Sequence, residues 1–373
     1  MKQYSNSEKV EPSKQGSPVK LYGFGSVGKG VVGLWNQITS NQQISDVHVK
    51  SQEAVPFGFS GSWKKNEQEV DREGTVIDAM ADTQKSIRLM EGLSNENLEI
   101  VSASKDAIAQ AVGDVPQNSK LRYEAAVAGS IPIITLIDEY YQYHNPIRFQ
   151  GILNGSCNFI LGQLEQKKNY DSALKQAQEL GFAEADPTFD VSGKDTLNKL
   201  VIVGAHLFGL NPEVAAIPLE GIQGLPLWIV EQAIAEGKRV KLVANLEKTE
   251  KGISAWIWPT IVSAKSALYQ VNDEYNGVTV ETQDLGEQFL KGKGAGSYPT
   301  AGAIGLDLRK LNLKQTYNKL PHNTAKLSQD FEVVAKVFYA ENKIETKKIP
   351  LTQLVELNKQ VTKEGARLLL ASD

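Results

Sequence analysis

The chain has 373 residues, of which 41% are hydrophobic and 23% charged, with a formal net charge of −4 and a pI near 5.8. At roughly 100–200 residues per domain, this is enough for two or three domains. The balance is that of an ordinary globular protein. It excludes extended disorder, collagen-like repeats and a basic surface for gripping nucleic acid. Cys157 is the only cysteine, so an internal disulfide or a cysteine-cluster zinc site is ruled out. The four histidines, His48, His144, His206 and His322, show no HExxH spacing. No apolar stretch reaches the roughly 18–20 residues of a membrane helix, and Met1 to Pro18 lacks an apolar signal core. The expectation is a cytoplasmic protein with a loose polar tail over 1–18 and no membrane partner.

The first ordered element is a short strand, Val19-Lys20-Leu21-Tyr22. It runs into Gly23-Phe24-Gly25-Ser26-Val27-Gly28 and then a helix marked by Val27, Val31, Leu34, Trp35 and Ile38 at helical spacing. Strands follow over 47–50, 75–78, 98–103 and 121–125, with helices over 83–92, 105–112 and 131–141 between them. Strands alternating with helices predict a Rossmann-type, doubly wound parallel sheet over 19–146. From 147 the pattern changes to a strand over 147–153, helices over 157–166, 170–180 and 195–208, and strands over 239–246 and 253–258. An Asn276-Gly277 hairpin turn follows. This is a mixed sheet covered by helices, an α+β catalytic and dimerisation domain over 147–298. A helix near 299–310 returns to the first domain, to about residue 330. The tail over 331–373 reads as a short β-β-α extension. Trp256 and Trp258, alternating on one strand, mark a buried sheet face suited to dimerisation.

The glycine turn carries chemistry. Gly23 allows the tight turn, Gly25 lets backbone approach a pyrophosphate, and Gly28 lets helix and strand pack closely at a helix N-terminus that attracts the anion. Gly23, Phe24, Gly25, Ser26, Val27 and Gly28 are therefore the expected dinucleotide contacts. An NAD-specific unit carries an acid about 20 residues on, at the end of the second strand. Here that zone is Val49-Lys50-Ser51. Lys50 favours a 2′-phosphate, so NADP(H) is expected ahead of NAD(H), against the plainer reading of a solvated lysine.

The richest segment is Gly181 to Lys199, where Glu184, Asp186, Asp190 and Asp195 fall within twelve residues broken by Pro187 and Gly193. It is a loop presenting carboxylates, followed by a helix. Asp195 and Lys199 share a helix face. Glu184, Asp190 and Asp195 would suit a substrate ammonium, and Lys199 could exchange a proton with an alcohol oxygen. An ordinary surface loop with one helix ion pair has the same composition. Lys105 directly follows the 98–103 strand, at the carboxyl edge of the sheet where ligands of open α/β sheets bind.

These blocks together resemble the homoserine dehydrogenases. The resemblance spans about 19–311 and rests on six blocks in order: the Gly23–Gly33 turn and helix; Ser102-Ala103-Ser104-Lys105; Tyr123 to Pro132; Gly151-Ile152-Leu153-Asn154-Gly155-Ser156-Cys157-Asn158; Gly181 to Lys199, matching GxxExDPxxDxxGxDxxxK; and Gly292 to Ala301, matching GxGAGxxPTA. It implies interconversion of L-homoserine and L-aspartate 4-semialdehyde with NAD(P)(H), on the route to threonine, methionine and isoleucine, by a homodimer or larger assembly. It implies that Lys199 donates the proton and that Lys105 lies near the reacting centre and the nicotinamide. Glu184 and Asp195, with Asp190 beside them, would hold the substrate amino group, and Gly181 and Gly296 would line the cofactor. It also implies a monovalent-cation site, sodium by its all-oxygen ligands, made by the Glu124 side chain and the carbonyls of Val127, Gly129 and Ile131. Met80, Ser104 and Ser192 depart from the family pattern, and the tail is short for a regulatory domain. A rival chemistry would use Cys157 as an acylating nucleophile, which needs an activated thiolate.

Overall fold

Short strands in the first part of the chain, several of them leading directly into a helix, run in the same direction and pair into one parallel sheet. The computed structural model describes residues 18–38, 43–49, 62–65, 73–95, 97–115, 119–210, 213–318, 325–339 and 343–372. The first sheet contains β1 (Val19–Tyr22), β2 (Ile44–Val49), β3 (Ser62–Lys65), β4 (Gly74–Asp78), β5 (Leu98–Ser102) and β6 (Leu121–Arg122). All its pairings are parallel and its order is β3-β2-β1-β4-β5-β6. The order reverses between β1 and β4, which opens the crevice where doubly wound sheets bind ligands. Helices α1 (Ser26–Ile38), α2 (Thr83–Met90), α3 (Lys105–Ala111) and α4 (Ile133–Glu139) follow β1, β4, β5 and β6.

The second sheet has eight strands: β7 (Pro146–Ile152), β8 (Arg239–Thr249), β9 (Gly252–Val262), β10 (Tyr275–Thr282), β11 (Gly286–Lys293), β12 (Glu332–Phe338), β13 (Ile344–Pro350) and β14 (Arg367–Ala371). Their order is β11-β10-β7-β8-β9-β14-β12-β13. Only the β14–β9 pairing is parallel among those described, with Leu370 opposite Thr260. Helices α5 (Gly155–Glu165), α6 (Tyr170–Glu179), α7 (Thr188–Val191), α8 (Lys194–Phe208) and α9 (Leu227–Ala235) lie between β7 and β8 in the chain. Val240, Leu242, Ala244 and Leu246 of β8 pack under them, together with Leu200 and Val203 of α8. Helix α10 (Ser297–Asn312) returns to the first sheet. Its Ala301, Ile304 and Leu308 share a core with Val31 of α1 and with Leu21, Val47 and Ile77 of the strands. Helix α11 (Leu351–Lys363) packs through Leu351, Leu354 and Val361 on the other face of the second sheet.

Four expectations are corrected. The tail has the expected β-β-α order but does not end there: a further strand, β14, joins the whole segment to the second sheet beside β9. Trp256 and Trp258 are covered by this same segment. Trp256 stacks on Phe331 with ring centroids 5.1 Å apart, and the Trp258 indole donates to the Leu368 carbonyl at 3.1 Å. The tryptophan face is thus filled from within the chain. Finally, Asn276-Gly277 is no hairpin turn. Both residues lie inside β10, and the reversal comes at 283–285. Gly277 is glycine because a Cβ there would collide with the Val271 side chain. The strand expected over 121–125 also stops at Arg122, and a 3₁₀ turn over Glu124–Ala126 leads into the left-handed residues Ala128 and Gly129.

Candidate active site

At the end of β1 the three glycines do three different things. Gly23 has φ +93°, and a Cβ there would collide with the Ala79 carbonyl after β4. A Cβ on Gly28 would collide with the Gly23 carbonyl. Gly25 faces open space, with nothing within 4 Å of where its Cβ would stand. The turn is thus packed tight on two sides and left bare on the third, the surface a pyrophosphate needs to reach the backbone N–H groups at the start of α1. Helix α10 begins beside it: Ser297 Oγ donates to the Ser26 carbonyl at 2.7 Å, and Gly30 leaves room for the Ser297 backbone. Gly296, with φ +110°, is the residue before α10. Phe24 and Val27 are half-buried against the core of the first sheet. The residues therefore fit a dinucleotide. Lys50, the residue expected to read a 2′-phosphate, lies outside the described residues.

The carboxyl edge of this sheet is held by Asp78, a residue the sequence did not single out. Its buried carboxylate accepts from Ser102 Oγ at 2.8 Å, Ser86 Oγ at 3.0 Å and Met80 N at 3.1 Å. Burial pushes its carboxyl up, against these hydrogen bonds. Met80 is buried in the core and Ser104 precedes α3, its N–H donating to Ser102 Oγ at 3.1 Å.

The two lysines meet on one carboxylate. Gly193, at φ +84°, turns the acidic loop into α8, and Asp195 and Lys199 stand one turn apart. Lys199 Nζ donates to Asp195 Oδ2 at 2.7 Å and to the Leu153 carbonyl at 2.6 Å. Lys105 Nζ, arriving from the first sheet, lies 2.6 Å from Asp195 Oδ1. Asn154, just past β7, donates through Nδ2 to Asp190 Oδ1 and to Asp195 Oδ2, both at 2.8 Å, while its Oδ1 accepts from Cys157 N and caps α5. Burial would raise the Asp195 carboxyl, but the Lys199 and Lys105 ammonium groups outweigh it and hold it well below the usual carboxylate range. Desolvation opposes the Lys105 charge, yet Asp195, Asp106 and Asp190 push it up to about 12. Burial and the Asp195 charge raise Asp190. An ammonium has three N–H groups. Two of those on Lys199 have acceptors among the described residues, which leaves a third.

A model of the homoserine dehydrogenase family matches residues 132–308. A homoserine dehydrogenase of Bacillus subtilis is 30% identical over 323 residues, a stretch covering 78% of this chain and 71% of that protein. The chain belongs to the homoserine dehydrogenase family. A second homoserine dehydrogenase, from Neisseria gonorrhoeae, is 37% identical over 232 residues, which are 60% of this chain and 53% of the relative's own length. The solved homoserine dehydrogenase of Thiobacillus denitrificans has the same fold, with a TM-score of 0.82 at 24% identity, covering 96% of this chain and 99% of that one.

Within this homoserine dehydrogenase fold, the expected site residues are not all together. Lys199, Lys105, Asp190 and Asp195 converge. Both oxygens of Asp195 are engaged by lysines and Asn154, and those of half-buried Asp190 accept from Asn154 Nδ2 and, at 3.4 Å, from Ser156 Oγ. Glu184 is exposed, and no side-chain contact among the described residues joins it to Asp195. Gly181, at φ +75°, is exposed after α6. Asn154 and the Leu153 carbonyl are site groups that sequence reasoning missed. The asparagine at the start of a helix was their one available signal. Cys157 is fully buried and its thiol is pushed well up by burial, which is the opposite of an activated nucleophile.

The Glu124 carboxylate is also occupied. It accepts from Ile134 N at 3.0 Å, Thr135 N at 2.7 Å and Thr135 Oγ1 at 2.5 Å, and so caps α4. Burial and the nearby Asp307 push it up to about 7. The Ile131 carbonyl accepts from Ile133 N, while Val127 and Gly129 lie on the adjoining corner. The donor chemistry, one carboxylate and three carbonyls, is that of a hard cation. A cation here would offset a buried negative charge.

Proposed function

We propose that this chain catalyses the reversible NAD(P)H-dependent reduction of L-aspartate 4-semialdehyde to L-homoserine, with Lys199 as the proton donor. The observation that carries the reading is the Lys199 ammonium, fixed by Asp195 and the Leu153 carbonyl with one N–H left over, at the junction of the two sheets. The nicotinamide supplies the hydride chemistry when bound. The chain's own part is positioning and charge. Reduction of an aldehyde develops negative charge on its oxygen, and Lys199 Nζ stabilises that charge and delivers the proton. Asp195 returns no proton; it holds both lysines in place. Lys105, half-exposed beside Asp195, adds a second positive charge toward the same oxygen and the nicotinamide. Asp190 and Glu184 take the substrate ammonium, which orients the aldehyde carbon.

The division of labour belongs to the proposal. Residues 19–146 with α10 bind the nucleotide through Gly23, Phe24, Gly25, Ser26, Val27, Gly28, Gly181 and Gly296, with NADP(H) preferred through Lys50. Residues 147–298 carry the chemistry. Glu124, Val127, Gly129 and Ile131 hold a sodium ion that steadies the corner before α4. The enzyme works in the cytoplasm as a homodimer or larger assembly, on the route to threonine, methionine and isoleucine. The described residues include no helix long and apolar enough to cross a membrane.

The test is NADPH oxidation at 340 nm with L-aspartate 4-semialdehyde, run beside NADH and beside Lys199→Ala. Turnover lost in the variant with the fold intact is the expected result. No turnover by the parent with either cofactor overturns the reading, and a preference for NADH overturns the role of Lys50.

A further inference from the structure

The Leu153 carbonyl that holds Lys199 has a second donor. Asn276 Nδ2 donates to it at 3.1 Å, beside the 2.6 Å bond from Lys199 Nζ. Asn276 is fully buried near the start of β10, one residue before Gly277 pairs with Ile152 at the end of β7. Its approach is engineered from two sides. Residue 294 must be glycine, because a Cβ there would stand inside the Asn276 carboxamide. The segment leading to Asn276 is pinned by Asn158, whose Nδ2 donates to the carbonyls of Val271, Asp273 and Tyr275, and whose Oδ1 accepts from the buried Lys241 Nζ at 3.1 Å.

Asn276 Oδ1, by contrast, has no hydrogen-bond partner among the described residues. A buried amide satisfied on one end only costs free energy that an apolar side chain of the same size would not. Packing therefore does not explain an asparagine here, whereas donation to Leu153 does.

We infer that Asn276 is a positioning residue for the Lys199 ammonium, acting through the carbonyl of Leu153. This rests on the reading of Lys199 given above. A carbonyl oxygen has two lone pairs. With Asn276 on one of them, the oxygen stays oriented and polarised whether Lys199 is charged or has given up its proton. Without Asn276 the whole acceptor capacity turns to the ammonium, and the charged form is held more tightly. Oxidation of homoserine needs the neutral amine to accept a proton, so the pH profile moves up.

The experiment is the pH profile of homoserine oxidation, with kcat and KM for semialdehyde and NADPH, in the full chain, for Asn276→Ala and Asn276→Ser. The expected result for Asn276→Ala is a kcat lower by about tenfold, an unchanged KM for NADPH and a profile displaced by about half a unit to higher pH. Asn276→Ser, which keeps an O–H donor, recovers part of both. A folded Asn276→Ala whose profile lies on that of the parent overturns the inference, whatever its melting temperature. So does a loss confined to the KM for NADPH. If the alanine variant does not fold, Asn276→Asp has the native shape and carries the same test: a carboxylate facing Leu153 displaces the profile further upward, and an unmoved profile refutes the role. A parent enzyme that does not oxidise homoserine at all refutes instead the reading of the preceding subsection.

Discussion

Replacing Asp195 by asparagine keeps the shape of the site and removes the charge on which two lysines converge. The Lys199 side chain is 10% exposed and that of Lys105 36%. Lys105 can turn to water, and solvent screening makes its share small. Lys199 has nowhere to go. Breaking a buried pair from one side costs about 3–5 kcal/mol. The Leu153 carbonyl and the new amide oxygen still accept from Lys199, which places the loss at the lower end, about 3 kcal/mol. This corresponds to roughly a 150-fold change in the folding equilibrium, at 1.36 kcal/mol per factor of ten. Urea unfolding at pH 7 should show it as a lower midpoint at constant slope, and kcat should fall by at least about 100-fold as the proton donor loses its anchor. The pH dependence has a definite sign. The native Asp195 carboxyl lies below its unfolded value, so its contribution is complete above about pH 4 and is lost as pH falls through the depressed native value. The variant lacks that contribution at every pH, so the stability gap between the two proteins should close on the acid side. A gap under about 1 kcal/mol at pH 7 would refute the reasoning; so would a gap that stays constant into strong acid.

Four further outcomes follow from the same structure. Gly25→Ala should fold like the parent, because its Cβ enters open space, while weakening NADPH binding by about tenfold in a fluorescence titration. Gly23→Ala should lose about 3 kcal/mol or more, since a side chain meets both a left-handed φ and the Ala79 carbonyl. His206 is buried against the Tyr123 hydroxyl at 2.7 Å, and burial together with Arg122 lowers it to about 3. The unfolded chain binds a proton below about pH 6.5 that the folded one refuses, so stability is full above that value and declines toward pH 3; His206→Gln should flatten this slope in thermal melts. Removing residues 325–372 should uncover Trp256 and Trp258, seen as a red shift of tryptophan emission and dye binding, and an unshifted spectrum would show that the tail does not cover them.

Sequence reasoning succeeded where a feature is local. The Gly23–Gly28 turn could be read because glycine at a strand end before a periodic helix has few other uses, and Asp195 and Lys199 because helical spacing alone brings them together. It failed where tertiary contacts decide. Asn276-Gly277 has the composition of a turn, but burial against Leu153 and Val271 makes it strand. Leu368-Leu369-Leu370 is too short an apolar run to declare a strand until β9 and β12 stand on either side of it. The partners of Asn154 lie 36 and 41 positions away, and Asn276 is 123 positions from Leu153, distances that no spacing rule spans. Glu124 looks like a free carboxylate until the start of α4 folds onto it.

The packing of α10 against α1 has a consequence for how the protein is made. Five strands and three helices of the nucleotide-binding half are synthesised before β6, yet one side of their core is closed by Ile304 and Leu308. At about 5–20 residues per second, the stretch from 123 to 296 takes roughly 10–35 s to synthesise. For that interval the first sheet waits with an apolar face uncovered, and a nascent chain stalled in the second half would present that face to chaperones and proteases.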